Sequence, residues 1–280
     1  MAVKREYKDN LFRSIFNDKE RLLELYNAIE GTDYKGPEAI IINTLEDIIY
    51  AGMKNDISFI IDDTIVLIEY QSTINENMPL RMLMYLGRLY EKITTADPML
   101  KYGRYLKDIS GPKFIVLYNG KEDYPAEKTL WFSSLCKKKD IDAEIGVRVI
   151  NINKGCNPEL ERRSKTLAVY AAFIADVREY SEKLPLKDAI DLTVKEYKNN
   201  DVLGEYFRKN APEVTSMLTT DFDIDEYKEV LRLEEFEKGI EKGMEKAKEE
   251  IQNYILGLID QGLTGEEIKK KIKKMSQKKQ

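Results

Sequence analysis

The chain of 280 residues contains no histidine. That absence excludes Ser-His-Asp and Cys-His nucleophile systems, His-Glu-x-x-His zinc sites and every imidazole proton shuttle. Its two cysteines, Cys136 and Cys156, have no Cys-x-x-Cys partner. The count rules out a disulfide framework and the spacing argues against zinc. Fifteen glycines and eight prolines are too few for a collagen-like or low-complexity chain. The longest apolar run, Leu167–Ala175, falls well short of the roughly 18 residues of a membrane-spanning helix. The first ten residues are charged and lack the apolar core of a secretory signal. These absences predict a cytoplasmic protein with no membrane partner. Its acid–base or metal chemistry must use carboxylates, lysine, tyrosine, amides or water, and hard oxygen donors favour Mg²⁺ or Mn²⁺.

What is present suits a globular fold: 42% hydrophobic and 34% charged residues, with a net charge of −5. That sum argues against general coating of nucleic acid but leaves room for a local basic surface. The tail is polarised. Residues 221–250 hold twelve acids and six bases, whereas residues 266–280 hold seven lysines and two glutamates; such runs are usually solvated helix faces.

Apolar spacing predicts helices at Leu11–Phe16 and Leu22–Ile29, the second capped by Asp18 and stopped by Gly31. Ile40 through Ile49 reads as a strand. Asn77-Met78-Pro79 opens a helix to Ile93 whose stripe is Met82, Leu83, Leu86, Leu89, Tyr90 and Ile93. Lys113–Tyr118, closed by Asn119-Gly120, and Ile145–Ile152 read as strands, and Pro158–Tyr180 as one helix. Strands alternating with helices and then helices alone predict an α/β core with a helical appendage. From Tyr227 a continuous helix carries a narrow stripe of Phe236, Ile240, Met244, Ala247, Ile251, Tyr254 and Leu258. That stripe suits a second copy of the chain or a face of its own domain. Gly265–Met275 suggests a last short helix.

The informative stretch is residues 55–72. Two β-rich runs flank Asp62-Asp63, a hairpin signal. With a two-residue turn, Ile61 pairs with Thr64 and cross-strand partners sum to 125, which sets Asp56 opposite Glu69. Alternation then puts Glu69, Gln71 and Asp56 on one face. Directly opposed Cβ atoms lie about 4.5–5.5 Å apart, where like charges repel. Two carboxylates so placed call for a divalent cation between them. The Val66–Ile68 run reads as strand buried on both faces, which puts this polar end at the edge of a core. Gln71 follows Glu69 by two residues, where an amide can orient a water or a phosphate oxygen.

These residues also carry a family resemblance. Asn55-Asp56-Ile57-Ser58-Phe59, then Ile68-Glu69-Tyr70-Gln71-Ser72 running on to Met78-Pro79-Leu80-Arg81, resembles the Rpn family of recombination-promoting nucleases, described also as transposases. That family belongs to the PD-(D/E)xK nuclease superfamily. The resemblance extends to Lys8–Phe12, Ile115–Gly120, Val149–Asn153 and the Glu/Lys/Gly-rich tail. It implies a restriction-endonuclease-like core of mixed sheet flanked by helices at residues 1–155. A helical extension follows at 156–225, then a charged C-terminal helix at 226–280 able to serve oligomerisation. It implies an Mg²⁺-dependent (Mn²⁺ as substitute) DNA endonuclease linked to recombination or mobile DNA, acting on double-stranded DNA.

In that family Asp56 matches the first catalytic acid and Glu69 the second, with the Tyr70 backbone carbonyl as a further metal ligand. Gln71 stands where the wider superfamily has lysine, so an amide replaces a cation, and Lys54 is another source of charge. A further acid is expected from the first helices, with Asp9, Glu20 and Glu24 the candidates. Arg81, Tyr85 and Arg88 share one helix face and are expected to contact DNA; Lys101, Arg104 and Lys107 repeat the idea. The alternative is a catalytically weak DNA-binding protein, or an oligomeric partner protein, that keeps the nuclease fold. A DDE-type transposase fits less well, because its acids come from well-separated segments.

Overall fold

The computed structural model describes residues 11–42, 57–105, 107–261, 264–267, 269 and 271. It divides into two compact units, Met1–Phe222 and Asp223–Gln280. The first is α/β. Helices α1 (Leu11–Phe16) and α2 (Lys19–Glu30) come first. Asp18 caps α2 by accepting the Glu20 and Arg21 N–H groups at 3.1 Å. Gly31 ends it in the left-handed region at φ 72°, where a side chain would be strained. Strands β1 (Ile41–Ile42), β2 (Ile57–Ile61) and β3 (Thr64–Gln71) follow. The expected continuation of the first strand through Ile48-Ile49 lies outside the described residues.

After β3 come α3 (Met78–Ala96), α4 (Met99–Tyr102), β4 (Gly111–Tyr118), β5 (Glu127–Trp131) and β6 (Gly146–Asn151). The sheet has six strands in the order β1-β2-β3-β4-β6-β5. The β1-β2-β3 pairs are antiparallel, β3-β4 and β4-β6 parallel, and β5 returns antiparallel at the edge. A mixed sheet flanked by helices is thus what forms. Strand β5 has no counterpart in the sequence reading. It is a half-exposed edge strand carrying only Leu130 into the core, so its apolar signal is faint.

Alternation sorts the core. Val66, Ile68, Ile115, Leu117 and Ile150 point to the face covered by α1, α2 and the later helices, whereas Ile65, Leu67, Val116, Val147 and Val149 point to α3. Strand β3 is buried on both faces, as its apolar run implies. The expected single helix after Pro158 is instead two: α5 (Pro158–Arg163) and α6 (Lys165–Ser181). Ser164 breaks the run and caps α6, accepting the Leu167 N–H at 3.2 Å, as short hydroxyl side chains do at helix starts. Helix α7 (Leu186–Tyr197) packs on α6.

Helix α8 spans Gly204–Asp260, with non-helical dihedrals at Asn210 just before Pro212. It starts well before Tyr227, and Val214 and Leu218 of its first part join the first unit's core. In the second unit Phe236, Ile240, Met244 and Ile251 are at least half exposed while Leu258 is buried. Thr264 and Glu267 form a capping contact that begins the last helical residues, with Glu267 Oε2 accepting Thr264 N–H at 2.9 Å and its hydroxyl at 2.7 Å. No described helix is long and apolar enough to cross a membrane.

Candidate active site

The hairpin that carries the site is built by its turn. Asp62 and Asp63 both have positive φ, 47° and 53°, the type I′ geometry that suits the right-handed twist of a two-residue hairpin. Aspartate tolerates the left-handed region better than most side chains. The Tyr34 hydroxyl pins the turn by donating to Asp62 Oδ2 at 2.9 Å. The register is Ile61 with Thr64 through Ile57 with Ile68, every pair summing to 125. Asp56, the next residue of that register and the expected partner of Glu69, lies outside the described residues, as do Lys54 and Asp9.

Glu69 and Gln71 share the α3 face, since they alternate in step with Ile65 and Leu67. Glu69 is 4% exposed, rare for a carboxylate and costly without compensating contacts. Its Oε2 lies 3.7 Å from Arg81 Nη2 in the first turns of α3. The same guanidinium nitrogen donates to the Tyr85 hydroxyl at 2.9 Å. Burial, then the Glu69 charge, push the Tyr85 phenol up to about 12; the group is a neutral hydroxyl at neutral pH. Gln71 Nε2 donates to the Met78 sulfur at 2.8 Å, and Arg81 Nη1 reaches that sulfur at 3.6 Å.

Strands β3, β4 and β6 end together, Gln71 beside Tyr118 and Tyr118 beside Asn151. The carboxyl edge of parallel strands is where α/β sheets bind ligands. A small pocket opens there between Gln71, Asn75, Met78, Tyr118 and Tyr124. The Asn119-Gly120 turn closes so tightly over β3 that a Cβ on Gly120 would collide with the Ser72 carbonyl. Asn119 N–H donates to the Gln71 carbonyl at 2.9 Å. Backbone groups alternate sides along a strand, so the Tyr70 carbonyl points away from β4, toward the β2 side where Asp56 is expected. The Tyr70 ring lies on the opposite sheet face, stacked on Phe12 at 5.2 Å.

Other expected residues fall elsewhere. Tyr85 is 1% exposed and packs on the sheet, so it offers no surface for a base. The α3 stripe turns accordingly: Tyr85 is buried and Leu83 faces solvent, because Met82, Tyr85 and Leu89 make the tighter i, i+3, i+7 row. Arg88 is partly buried, with Nη1 enclosed and without a hydrogen-bond partner among the described residues. Glu24 is committed to structure, its two oxygens accepting Thr166 N–H at 3.1 Å and the Thr166 hydroxyl at 2.7 Å at the start of α6. Helix α2, which carries Glu20 and Glu24, packs on the face opposite Glu69. Lys107 pairs with Asp97 at 2.6 Å, while Lys101, Tyr102, Arg104 and Tyr105 are exposed.

The contact that sequence reasoning missed is Glu69 with Arg81 and Tyr85. Its signal was the i, i+4 spacing of Arg81 and Tyr85 just after the strand. No family model, curated protein or solved structure matches the chain.

The donor set suits a hard cation only in part. Glu69 supplies a carboxylate and Gln71 an amide oxygen on one face, with the Tyr70 carbonyl toward the adjacent edge. Among the described residues no three acidic, histidine or cysteine side chains cluster as a metal group. The second carboxylate expected from the sequence, Asp56, lies outside the described residues.

Proposed function

We propose that the chain is a metal-dependent DNA endonuclease of the Rpn type, with a PD-(D/E)xK core. The observation that carries the reading is the hairpin register, Ile57 with Ile68 through Ile61 with Thr64, with Glu69 and Gln71 on one face at the carboxyl edge of β3. The same sum of 125 is why we expect Asp56, outside the described residues, opposite Glu69. Glu69 is buried at the end of the apolar run Ile65–Ile68, 3.7 Å from Arg81; beside a second carboxylate it would become a cation site. The mixed sheet of antiparallel hairpin and parallel crossover through α3 agrees with the resemblance carried by residues 55–81.

The reaction is phosphodiester hydrolysis: water adds to phosphorus, one P–O ester bond breaks, and a phosphate monoester and a hydroxyl result. Asp56, Glu69 and the Tyr70 carbonyl would hold Mg²⁺ or Mn²⁺, which supplies a lowered water pKa and neutralises charge on phosphorus. Gln71 orients the attacking water through its amide. Tyr85 stays protonated and holds the Arg81 guanidinium beside Glu69. The segment with exposed Lys101, Tyr102, Arg104 and Tyr105 combines positive charge with open aromatic rings, the chemistry of a nucleic-acid contact. It leads into the amino end of β4, the end opposite Gln71, so its contact would fall away from the scissile bond. The exposed stripe of α8 would pair with a second copy and bring two sites to one duplex.

Incubating supercoiled plasmid with the purified chain and Mg²⁺, Mn²⁺, Ca²⁺ or EDTA tests the reading. Nicking with Mg²⁺ or Mn²⁺, lost in EDTA and in both Asp56→Ala and Glu69→Ala, is expected. Full nicking by both variants overturns the assignment.

A further inference from the structure

We infer that Arg81 supplies the positive charge that Gln71 lacks, contacting the oxygens of the scissile phosphate from the first turns of α3. The inference rests on the hydrolytic reading above and adds a residue to it. At the strand position two after Glu69 the chain presents an amide, which can hydrogen-bond but cannot offset charge. A phosphate gaining negative charge in its transition state needs a fixed cation or donor cluster aimed at it.

The geometry offers one. Met78 sulfur lies 2.8 Å from Gln71 Nε2 and 3.6 Å from Arg81 Nη1, so amide and guanidinium are neighbours across a single atom. Side chains on a helix lean toward its amino terminus, and α3 begins just after β3; that lean carries the Arg81 head back over the end of β3. Its Nη2 lies 3.7 Å from Glu69 Oε2.

Arg81 is not an ordinary surface arginine. Its side chain is 32% exposed and crosses the Tyr85 ring at 5.9 Å. The Tyr85 hydroxyl fixes Nη2 at 2.9 Å and is neutral, so it orients the guanidinium without cancelling its charge. A planar fork with five N–H donors can keep Tyr85 and Met78 on its inner side and present its solvent side to phosphate oxygens. An arginine that only bound distant backbone phosphate would not be drawn onto a buried carboxylate.

The test measures nicking kinetics for wild type, Glu69→Gln, Arg81→Gln, Arg81→Lys, Gln71→Lys and the double variant Arg81→Gln/Gln71→Lys. Duplex binding in EDTA by fluorescence anisotropy and thermal unfolding are recorded for each. Arg81→Gln is expected to lose about 10²-fold in kcat with KM and duplex affinity changed less than about threefold. Arg81→Lys keeps kcat within about tenfold of wild type, and the double variant recovers at least about tenfold over Arg81→Gln, because the lysine restores the charge from the strand. Should Arg81→Gln unfold, Arg81→Lys decides the matter: kcat within about tenfold of wild type is expected, and a folded Arg81→Lys that loses about 10²-fold or more overturns the inference. If Glu69→Gln is inactive yet Arg81→Gln keeps wild-type kcat, or loses only duplex affinity, the inference falls and the hydrolytic reading stands. A double variant no better than Arg81→Gln also overturns it. Wild type that nicks with no metal, or Glu69→Gln that nicks normally, overturns the hydrolytic reading and this inference with it.

Discussion

Neutralising Glu69 without changing its shape, as Glu69→Gln, probes the balance of charge at the site. With Asp56 as its only charged neighbour, the sequence argues that removing the Glu69 charge relieves repulsion, so stability should hold or rise. The structure adds an attraction. Two unit charges 3.7 Å apart attract by about 4–5 kcal/mol at an effective dielectric constant of about 20. Desolvation of the carboxylate offsets much of that, and solvent screening of the partly exposed Arg81 removes more. Loss of the charge-assisted contacts to Arg81 and Tyr85 should therefore lower the unfolding free energy by about 1–3 kcal/mol. Urea unfolding at neutral pH reads this as a lower midpoint at unchanged slope. A second readout is Tyr85, whose phenol is held near 12 by burial first and by the Glu69 charge second. In Glu69→Gln it should ionise at lower pH yet remain above its ordinary 10.0, seen as the phenolate absorbance difference against Tyr85→Phe. A variant more stable than its parent, with Tyr85 unmoved, would refute the reasoning and make repulsion from Asp56 the dominant interaction.

Because the folded Tyr85 phenol titrates near 12 against 10.0 unfolded, its stabilising contribution is complete below pH 10 and is lost as pH rises through 12. Tyr85→Phe should flatten the fall of the urea midpoint across that window by up to one proton. Glu24→Ala removes both acceptors of Thr166 at the start of α6 and should cost about 1–2 kcal/mol. Its nicking rate should stay at wild type, and a lost rate in a folded variant would return Glu24 to the catalytic set. Cutting the chain near Asp225 removes the exposed stripe Phe236, Ile240, Met244 and Ile251; light scattering should show a dimer become a monomer, with cleavage weakened, and equal masses per chain would end the idea of pairing.

Where local chemistry decides structure, the sequence was legible. Asp18 and Gly31 bound α2 because a carboxylate beside the first N–H groups and a glycine at positive φ are local requirements. The hairpin register was legible too, since a two-residue turn at Asp62-Asp63 fixes one pairing. Long-range choices were not. Nothing local to Glu24 says that its oxygens meet Thr166, 142 positions away. Likewise Ser164 splits an otherwise helical run only because the chain must turn there to lay α6 on the sheet, and periodicity alone carries no record of that. For α3 the error was rotational: Leu83 and Tyr85 are both plausible core residues, and only packing within the cluster that also holds Leu67 and Val116 decides that the ring goes in.

That rotation ties the turn to the composition of the site. Slipping the hairpin by one residue would send Glu69 and Gln71 to the opposite sheet face, where Tyr70 now stacks on Phe12 and meets Tyr170 edge-on at 6.1 Å. A carboxylate there would sit among aromatic rings, and Tyr70 would displace it beside Arg81. The apolar residues of β3 resist the slip only weakly, because both faces of Val66–Ile68 are buried and either face accepts them. The two aspartates at positive φ, anchored by Tyr34, therefore carry more of the register than the core does. Once the register is set, α3 can present only the side that carries Met78, Arg81 and Tyr85 to the end of β3. The Arg81 guanidinium beside Glu69 is in this sense specified at Asp62-Asp63, six and seven residues upstream of that acid.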